Sequence, residues 1–280
     1  MVDVRLHDAS IIEARVSGDG PAVLLPVNPV AVTGERGEEL RRWGADPQLG
    51  RKLVDGLRDR YRVVAFDYEG HLLAAPQPDT LTPDTIAADL LAVADAAGVQ
   101  RFAYYGYSWL AVAGLQLAAR TDRLTGLAIG GYPPLDGPYA QMLTVTRATH
   151  ALAVAAVGAP APTVEPAAPD EIDWSSIVMT LSPAQTRQWV TLYEALQGFD
   201  EQAALARISG ARLCFVGAKD EITYDERWGG VSVSMAAPTV EHRAELERLG
   251  WDVRVLDGLD HMGAMQAAVV VPMLREWLGS

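Results

Sequence analysis

The sequence predicts an α/β protein with a mostly parallel central sheet, and three features carry that prediction. Short apolar runs that end in turn residues recur along the 280 residues. The runs are continuous rather than alternating, so the strands they form have both faces covered. Between them lie longer stretches of helical periodicity, which supply the covering layers.

In chain order, the strand-like runs begin with "PAVLLPVNP" (Pro21 to Pro29), "YRVVAFDYEG" (Tyr61 to Gly70) and "RFAYYG" (Arg101 to Gly106). They continue with "LTGLAIGG" (Leu124 to Gly131), "ARLCFVG" (Ala211 to Gly217) and "WDVRVLDG" (Trp251 to Gly258). The stretch "TPDTIAADLLAVADAAGV" reads as a helix, with Thr82 or Asp84 as its cap and Gly98 at its end. From Tyr132 to about Ile208 the strand-like runs stop, and two helical stretches flank "VGAPAPTVEPAAPDEID". Pro160, Pro162, Pro166 and Pro169 remove backbone donors there, so that segment reads as a loop. The expected organisation is a core of residues 1–131 and 209–280 interrupted by a helical insertion at 132–208.

Composition narrows the function classes. A formal charge of −13 without a basic cluster argues against nucleic acid and against anionic membrane surfaces as partners. Cys214 is the only cysteine, which excludes an intrachain disulfide and a cysteine zinc cluster; no metal or other cofactor is expected. The N-terminal stretch has no basic segment followed by an apolar run, and no apolar run approaches about eighteen residues. The expectation is a soluble, cytoplasmic protein acting on a small molecule, with a homodimer left open.

One stretch concentrates the chemistry. In "RFAYYGYSWLAVAGLQLAAR", a strand ends at Gly106, Ser108 follows two residues later, and a helix starts at once. Such a turn holds a serine in a strained conformation with its hydroxyl at the carboxyl edge of the sheet, while a glycine lets neighbouring backbone approach. The helix N-terminus favours negative charge beside it, and the N–H of Trp109 is a candidate oxyanion donor. The same position also suits an ordinary helix N-cap, so Ser108 is either a nucleophile or a cap.

Taken with the rest of the chain, these residues resemble the α/β-hydrolase superfamily. Its members carry a Gly-x-Ser-x-Gly elbow, then an acid, then a histidine near the C-terminus. Here "GYSWL" is followed by "VGAKDE" with Asp220 and by "GLDHMG" with His261, each after a predicted strand. "PAVLLPVNP" is similar to the family's strand and oxyanion loop, which implies Asn28 as the second N–H donor, and "FDYEGHLLA" resembles its Asp-x-x-Gly-x-Gly segment. The resemblance implies a helical cap over the site for residues 132–208.

The chemistry asks for the same residue types. A serine hydroxyl needs an imidazole to take its proton, and a carboxylate to hold that imidazole in the right tautomer. His261 fills the first role. Asp220 is favoured for the second, with Glu221, Asp225 and Asp136 as competitors; Asp260 is too close in sequence to His261 to orient its ring. His7, His150 and His242 have weaker contexts, His242 lying in a charged helix expected to be solvated. His71 either lines the pocket or stabilises its loop. Tyr107 and Trp109 flank Ser108 and are expected to shape the substrate pocket, with Met142 and Trp189 contributed by the insertion; Leu143, Met179 and Tyr193 share its apolar faces.

The departures from the family pattern are specific. Leu110 stands where the elbow has its second glycine, and is expected to hold the following helix away from the sheet, with Gly114 as the compensating small neighbour. Pro26 and Val27 replace a His-Gly pair in the oxyanion loop, and the segment Val30 to Gly50 is long enough to add a wall over the site. The expected activity is a serine hydrolase cleaving a small or medium apolar carboxylic ester, lactone or related acyl substrate through an acyl-enzyme. The alternatives are an acyltransferase or cofactor-free haloperoxidase-like enzyme, and a ligand-binding protein of the same fold with vestigial activity.

Overall fold

The computed structural model describes residues 1–42, 44–158 and 180–279. Its strands are β1 (Val2–Arg5), β2 (Ile11–Ser17), β3 (Ala22–Leu25), β4 (Arg62–Phe66), β5 (Phe102–Tyr107), β6 (Leu124–Gly130), β7 (Ala211–Gly217), β8 (Glu221–Thr223), β9 (Ser232–Ser234) and β10 (Trp251–Leu256). Eight of them form one sheet in the order β1-β2-β4-β3-β5-β6-β7-β10, while β8 and β9 pair separately. From β4 to β10 every pairing in the large sheet is parallel; β1 and β2 are added antiparallel at one edge.

The helices are α1 (Gly34–Arg42), α2 (Leu49–Leu57), α3 (Tyr68–Ala74), α4 (Pro83–Ala96), α5 (Trp109–Ala118), α6 (Tyr139–Ala155), α7 (Pro183–Ala195), α8 (Glu201–Arg207), α9 (Ala236–Glu241), α10 (Arg243–Arg248), α11 (His261–Ala264) and α12 (Ala267–Leu278). Alternate residues of each inner strand feed opposite faces, which is why the runs are apolar throughout. Phe102 and Tyr104 of β5 pack with Ile86, Leu90 and Val93 of α4 and with α5. Ala103, Tyr105 and Tyr107 pack instead with Leu53 and Leu57 of α2 and with Val270, Leu274 and Trp277 of α12. The buried positions of α2, Gly50, Leu53, Val54 and Leu57, have the spacing of one helix face.

All six expected strand runs contain a strand. The "YRVVAFDYEG" run is shorter as a strand than expected, because Asp67 accepts a hydrogen bond from Gly70 N at 3.0 Å and starts α3. Thr82, not Asp84, caps α4 through a reciprocal pair with Thr85, with Pro83 in the first turn. The edge pair β1–β2 was not anticipated. Its β2 alternates exposed and buried residues, since one face meets solvent, and so lacks the continuous apolar run.

Between β6 and β7 the described elements are helical: α6, α7 and α8. Ser182 caps α7 with Gln185, and Leu143, Val190, Leu192, Tyr193 and Leu205 extend the core that covers α5. The core side is latched to α7 by polar contacts as well. Buried Gln188 donates to Leu72 O at 3.1 Å and accepts from Gln77 N at 3.1 Å, while Gln185 donates to Leu73 O at 2.6 Å. Most of the Pro/Ala-rich loop expected at 157–173, and Met179, lie outside the described residues.

The contact of α5 with the sheet differs from expectation. A Cβ on Gly106 would lie 2.2 Å from Leu110 O, so the helix start is pressed against β5 rather than held off it. The Leu110 side chain is 7% exposed and packs into the core, and its carbonyl accepts a hydrogen bond from Tyr104 Oη at 2.7 Å. Gly114 makes that bond possible, because a Cβ there would meet Tyr104 Cε1 at 2.5 Å. A glycine in a helix interior normally costs about 1 kcal/mol relative to alanine. Here the sign reverses. Tyr104 is fully buried and has nowhere to move, so Gly114→Ala is expected to destabilise the protein by about 1–3 kcal/mol in urea denaturation; a rise in stability would contradict this packing.

Candidate active site

Ser108, Asp220 and His261 follow the carboxyl ends of β5, β7 and β10, one, three and five residues beyond the last strand residue. Ser108 lies between β5 and α5 with φ 58° and ψ −127°, a region that disfavours any side chain. The turn is held on both sides: Ser108 N donates to Gly130 O at 2.8 Å, and Ala111 N donates to Ser108 O at 2.8 Å. Although Ser108 occupies the N-cap position, its hydroxyl makes no capping hydrogen bond. It lines a cavity instead. At the first position of α5, the N–H of Trp109 has no intrahelical partner by helix geometry and is turned to the same helix end.

His261 and Asp220 meet across neighbouring loops. The imidazole Nδ1 lies 2.8 Å from Asp220 Oδ2 and 3.0 Å from Oδ1, and Asp220 has no accessible surface. The loops are stapled by backbone bonds: Ala218 N donates to Leu256 O at 2.9 Å and Lys219 N to Leu259 O at 2.8 Å. Gly217 permits this approach, since a Cβ there would lie 2.4 Å from Leu259 O. Tyr107 packs against the imidazole at 5.0 Å between ring centroids and donates to His261 O at 2.7 Å. With Nδ1 facing Asp220, Nε2 is left for another partner. It makes no hydrogen bond to Ser108 Oγ here; contacts of this kind commonly tighten only when substrate is bound.

The competitors for the acid have other partners. Asp136 Oδ2 lies 2.7 Å from His242 Nε2, Asp225 accepts from Arg227 N at 3.0 Å, and Asp260 accepts from Gly263 N at 2.7 Å. Glu221 belongs to β8. His242 differs from expectation: it sits at the break between α9 and α10, and its hydrogen bond to Asp136 raises its pKa.

The cavity has a volume of about 460 Å³ and is lined by Ser108, Trp109, Met142 and Trp189 of the expected set. The expected wall from the 30–50 segment is present as Arg36 and Leu40 of α1. Tyr107, expected to shape the pocket, packs against His261 and is not on the lining, and His71 takes the second of its two alternatives: its Nε2 lies 2.8 Å from Ser10 Oγ, bracing the turn between β1 and β2. Asn28 is also off the lining; its Oδ1 accepts from Val30 N at 2.9 Å, and its carbonyl packs so closely on Gly50 that a Cβ there would be 2.1 Å away. The Val27 N–H is engaged by Leu25 O at 2.8 Å.

Sequence reasoning missed Glu69 and Tyr132, which also line the cavity, and Arg36 as an individual residue. Glu69 was legible only as part of "FDYEGHLLA", where the strand was expected to run on; the early helix turns it inward. Trp109 is the centre of an aromatic group, with its ring 4.8 Å from Trp189 and 6.0 Å from Tyr68. Tyr68 is anchored in turn by buried Asp89, which also binds His7. Among the described residues, no group of three or more His, Cys, Asp or Glu side chains is placed to hold a metal ion, and no helix is long and apolar enough to cross a membrane.

No family model and no curated protein sequence matches the chain. Solved structures do match it from end to end. An esterase from Thermogutta terrifontis is 18% identical with a TM-score of 0.63, over 99% of this chain and 97% of the esterase. An enol-lactonase from Burkholderia xenovorans LB400 is 19% identical with a TM-score of 0.62, over 99% of this chain and 100% of the other. An epoxide hydrolase of the alpha/beta hydrolases superfamily, from metagenomes of hot environments, is 14% identical with a TM-score of 0.57, over 99% and 97% of the two chains. Similarity at these identities speaks to architecture, and it agrees with the sheet order and the loops described above: the chain has the α/β-hydrolase fold.

Proposed function

We propose that this protein is a serine hydrolase that cleaves a small or medium carboxylic ester or lactone through an acyl-enzyme. The observation that carries the reading is the backbone of Ser108, held at φ 58° without a capping role and with its side chain on the cavity wall. A serine used only to cap a helix has an extended backbone and a bonded hydroxyl. Strain of this kind costs about 1–3 kcal/mol and persists where the surroundings enforce it for a purpose.

In the proposed mechanism, His261 takes the Ser108 proton through Nε2 as Oγ attacks the acyl carbon. Asp220, closed off from water, fixes the tautomer with the proton on Nδ1 and stabilises the imidazolium that forms. The oxyanion is stabilised by the Trp109 N–H, a donor of a kind worth about 3–4 kcal/mol in related chemistry. His261 then protonates the leaving alcohol, and a water attacks the acyl-enzyme with the imidazole again acting as base. Helices α6 and α7 act as the cap, with Met142 and Trp189 forming the apolar part of the acyl pocket. An esterase and an enol-lactonase among the solved structures of this fold support ester and lactone chemistry.

Hydrolysis of p-nitrophenyl butyrate tests the assignment. Ser108→Ala is expected to lower kcat/KM by about 10⁴-fold or more, and Asp220→Asn to lower kcat by about 10⁴-fold by disturbing the imidazole tautomer. Loss of less than tenfold in Ser108→Ala would reject the nucleophile. His261→Ala is expected to lower kcat/KM by about 10⁴-fold or more, and a loss of less than tenfold would reject His261 as the base.

The strain has a separate readout. Ser108→Gly removes the side chain that disfavours positive φ, a relief of about 1–3 kcal/mol against about 0.5–1 kcal/mol of added chain entropy. Ser108→Gly should therefore be inactive and melt at a higher temperature than wild type. A lower melting temperature would mean that the turn carries no strain.

A further inference from the structure

Glu69, the second residue of α3, brings a carboxylate to a cavity otherwise lined mainly by apolar and aromatic side chains. It counts as an exposed residue, yet burial is the largest influence on its carboxyl and pushes its pKa up. Glu69 lines the same cavity as Ser108, where the neighbouring protein removes part of the water from its carboxyl. The Trp109 indole N–H, buried without a hydrogen bond of ordinary geometry, is close enough to pull that pKa back, while Asp67 adds to the rise. Arg36 shares the lining and has a partner of its own; it lowers the Glu69 pKa less than burial raises it.

A carboxylate set in a partly desolvated aromatic pocket is left short of compensation. An apolar substrate would displace the water that solvates it and leave the charge worse off. A cation does the reverse, because it gains the carboxylate as a counterion and aromatic rings nearby as further partners. Trp109, Trp189, Tyr132 and Tyr193 line the same cavity.

We propose that the ligand of this site carries an ammonium group, seated against Glu69 and the rings of Trp109 and Trp189. The inference rests on the hydrolase reading for calling that ligand a substrate, and on the cavity alone for its binding. It adds a charged determinant from the core side to the apolar pocket supplied by α6 and α7.

Choline and its neutral isostere 3,3-dimethyl-1-butanol provide the test, with Kd measured by calorimetry on the full-length protein. Choline is expected to bind at least tenfold more tightly than the isostere, and Glu69→Gln to remove that preference. Should Glu69→Gln fail to fold, Glu69→Asp, which withdraws the carboxylate by one methylene, is expected to weaken choline selectively. Equal affinity for the two probes in the wild-type protein, a choline preference that survives in folded Glu69→Gln, or an undiminished one in Glu69→Asp, would overturn the proposal. A Glu69-dependent choline preference in a protein that hydrolyses no ester would uphold the cation site and remove the hydrolase reading.

Discussion

At Ser108 the chain must leave a central strand and enter a helix within a single residue, and it does so with φ 58°. The rest of the site is arranged around that turn. Gly106 lets Leu110 O approach to within what a Cβ would occupy, Gly114 makes room for the Tyr104 ring, and Tyr104 Oη returns a hydrogen bond to that same carbonyl. Each contact presses α5 onto β5, so the strained residue cannot relax by letting the helix drift. A bulky Leu110 fits because its side chain leaves toward the core while only its backbone faces the sheet.

The other half of the site depends on two loops being forced together. Gly217 lets the backbone at Leu259 come within reach, and the bonds from Ala218 and Lys219 hold the loop after β7 to the loop after β10. Asp220 and His261 are then neighbours although 41 residues apart in sequence. The cavity beside Ser108 has one fixed wall, since α7 is bonded through Gln185 and Gln188 to the backbone of α3. Its charged residues are Glu69 of α3 and Arg36 of α1, while Met142, Trp189 and Tyr193 of α6 and α7 share the apolar lining with Leu40, Leu73, Trp109 and Tyr132.

Much of the architecture was legible because parallel strands buried on both faces leave continuous apolar runs, as Val63 to Phe66 and Leu213 to Val216 do. The edge strands β1 and β2 left no such mark. The order Ser108, Asp220, His261 was implied by the resemblance to the α/β-hydrolases, each residue following a predicted strand, and the structure brings Asp220 and His261 together. What could not be read was direction. "FDYEGHLLA" does not say that Asp67 will cap a helix and so send His71 toward Ser10 and Glu69 toward the cavity. Nor does "GYSWL" say that Leu110 will present its carbonyl, rather than its side chain, to Gly106. Such outcomes are decided by tertiary contacts with residues far away in the sequence.

The claim on which the functional account turns is that Ser108 is an activated nucleophile, and covalent labelling reads it without knowledge of the substrate. After reaction with a fluorophosphonate, intact-mass spectrometry should find one adduct per chain, and peptide mapping should locate it on Ser108, with the adduct strongly reduced in His261→Ala. An unmodified Ser108 after exhaustive treatment, or an adduct on a different residue, would contradict the account.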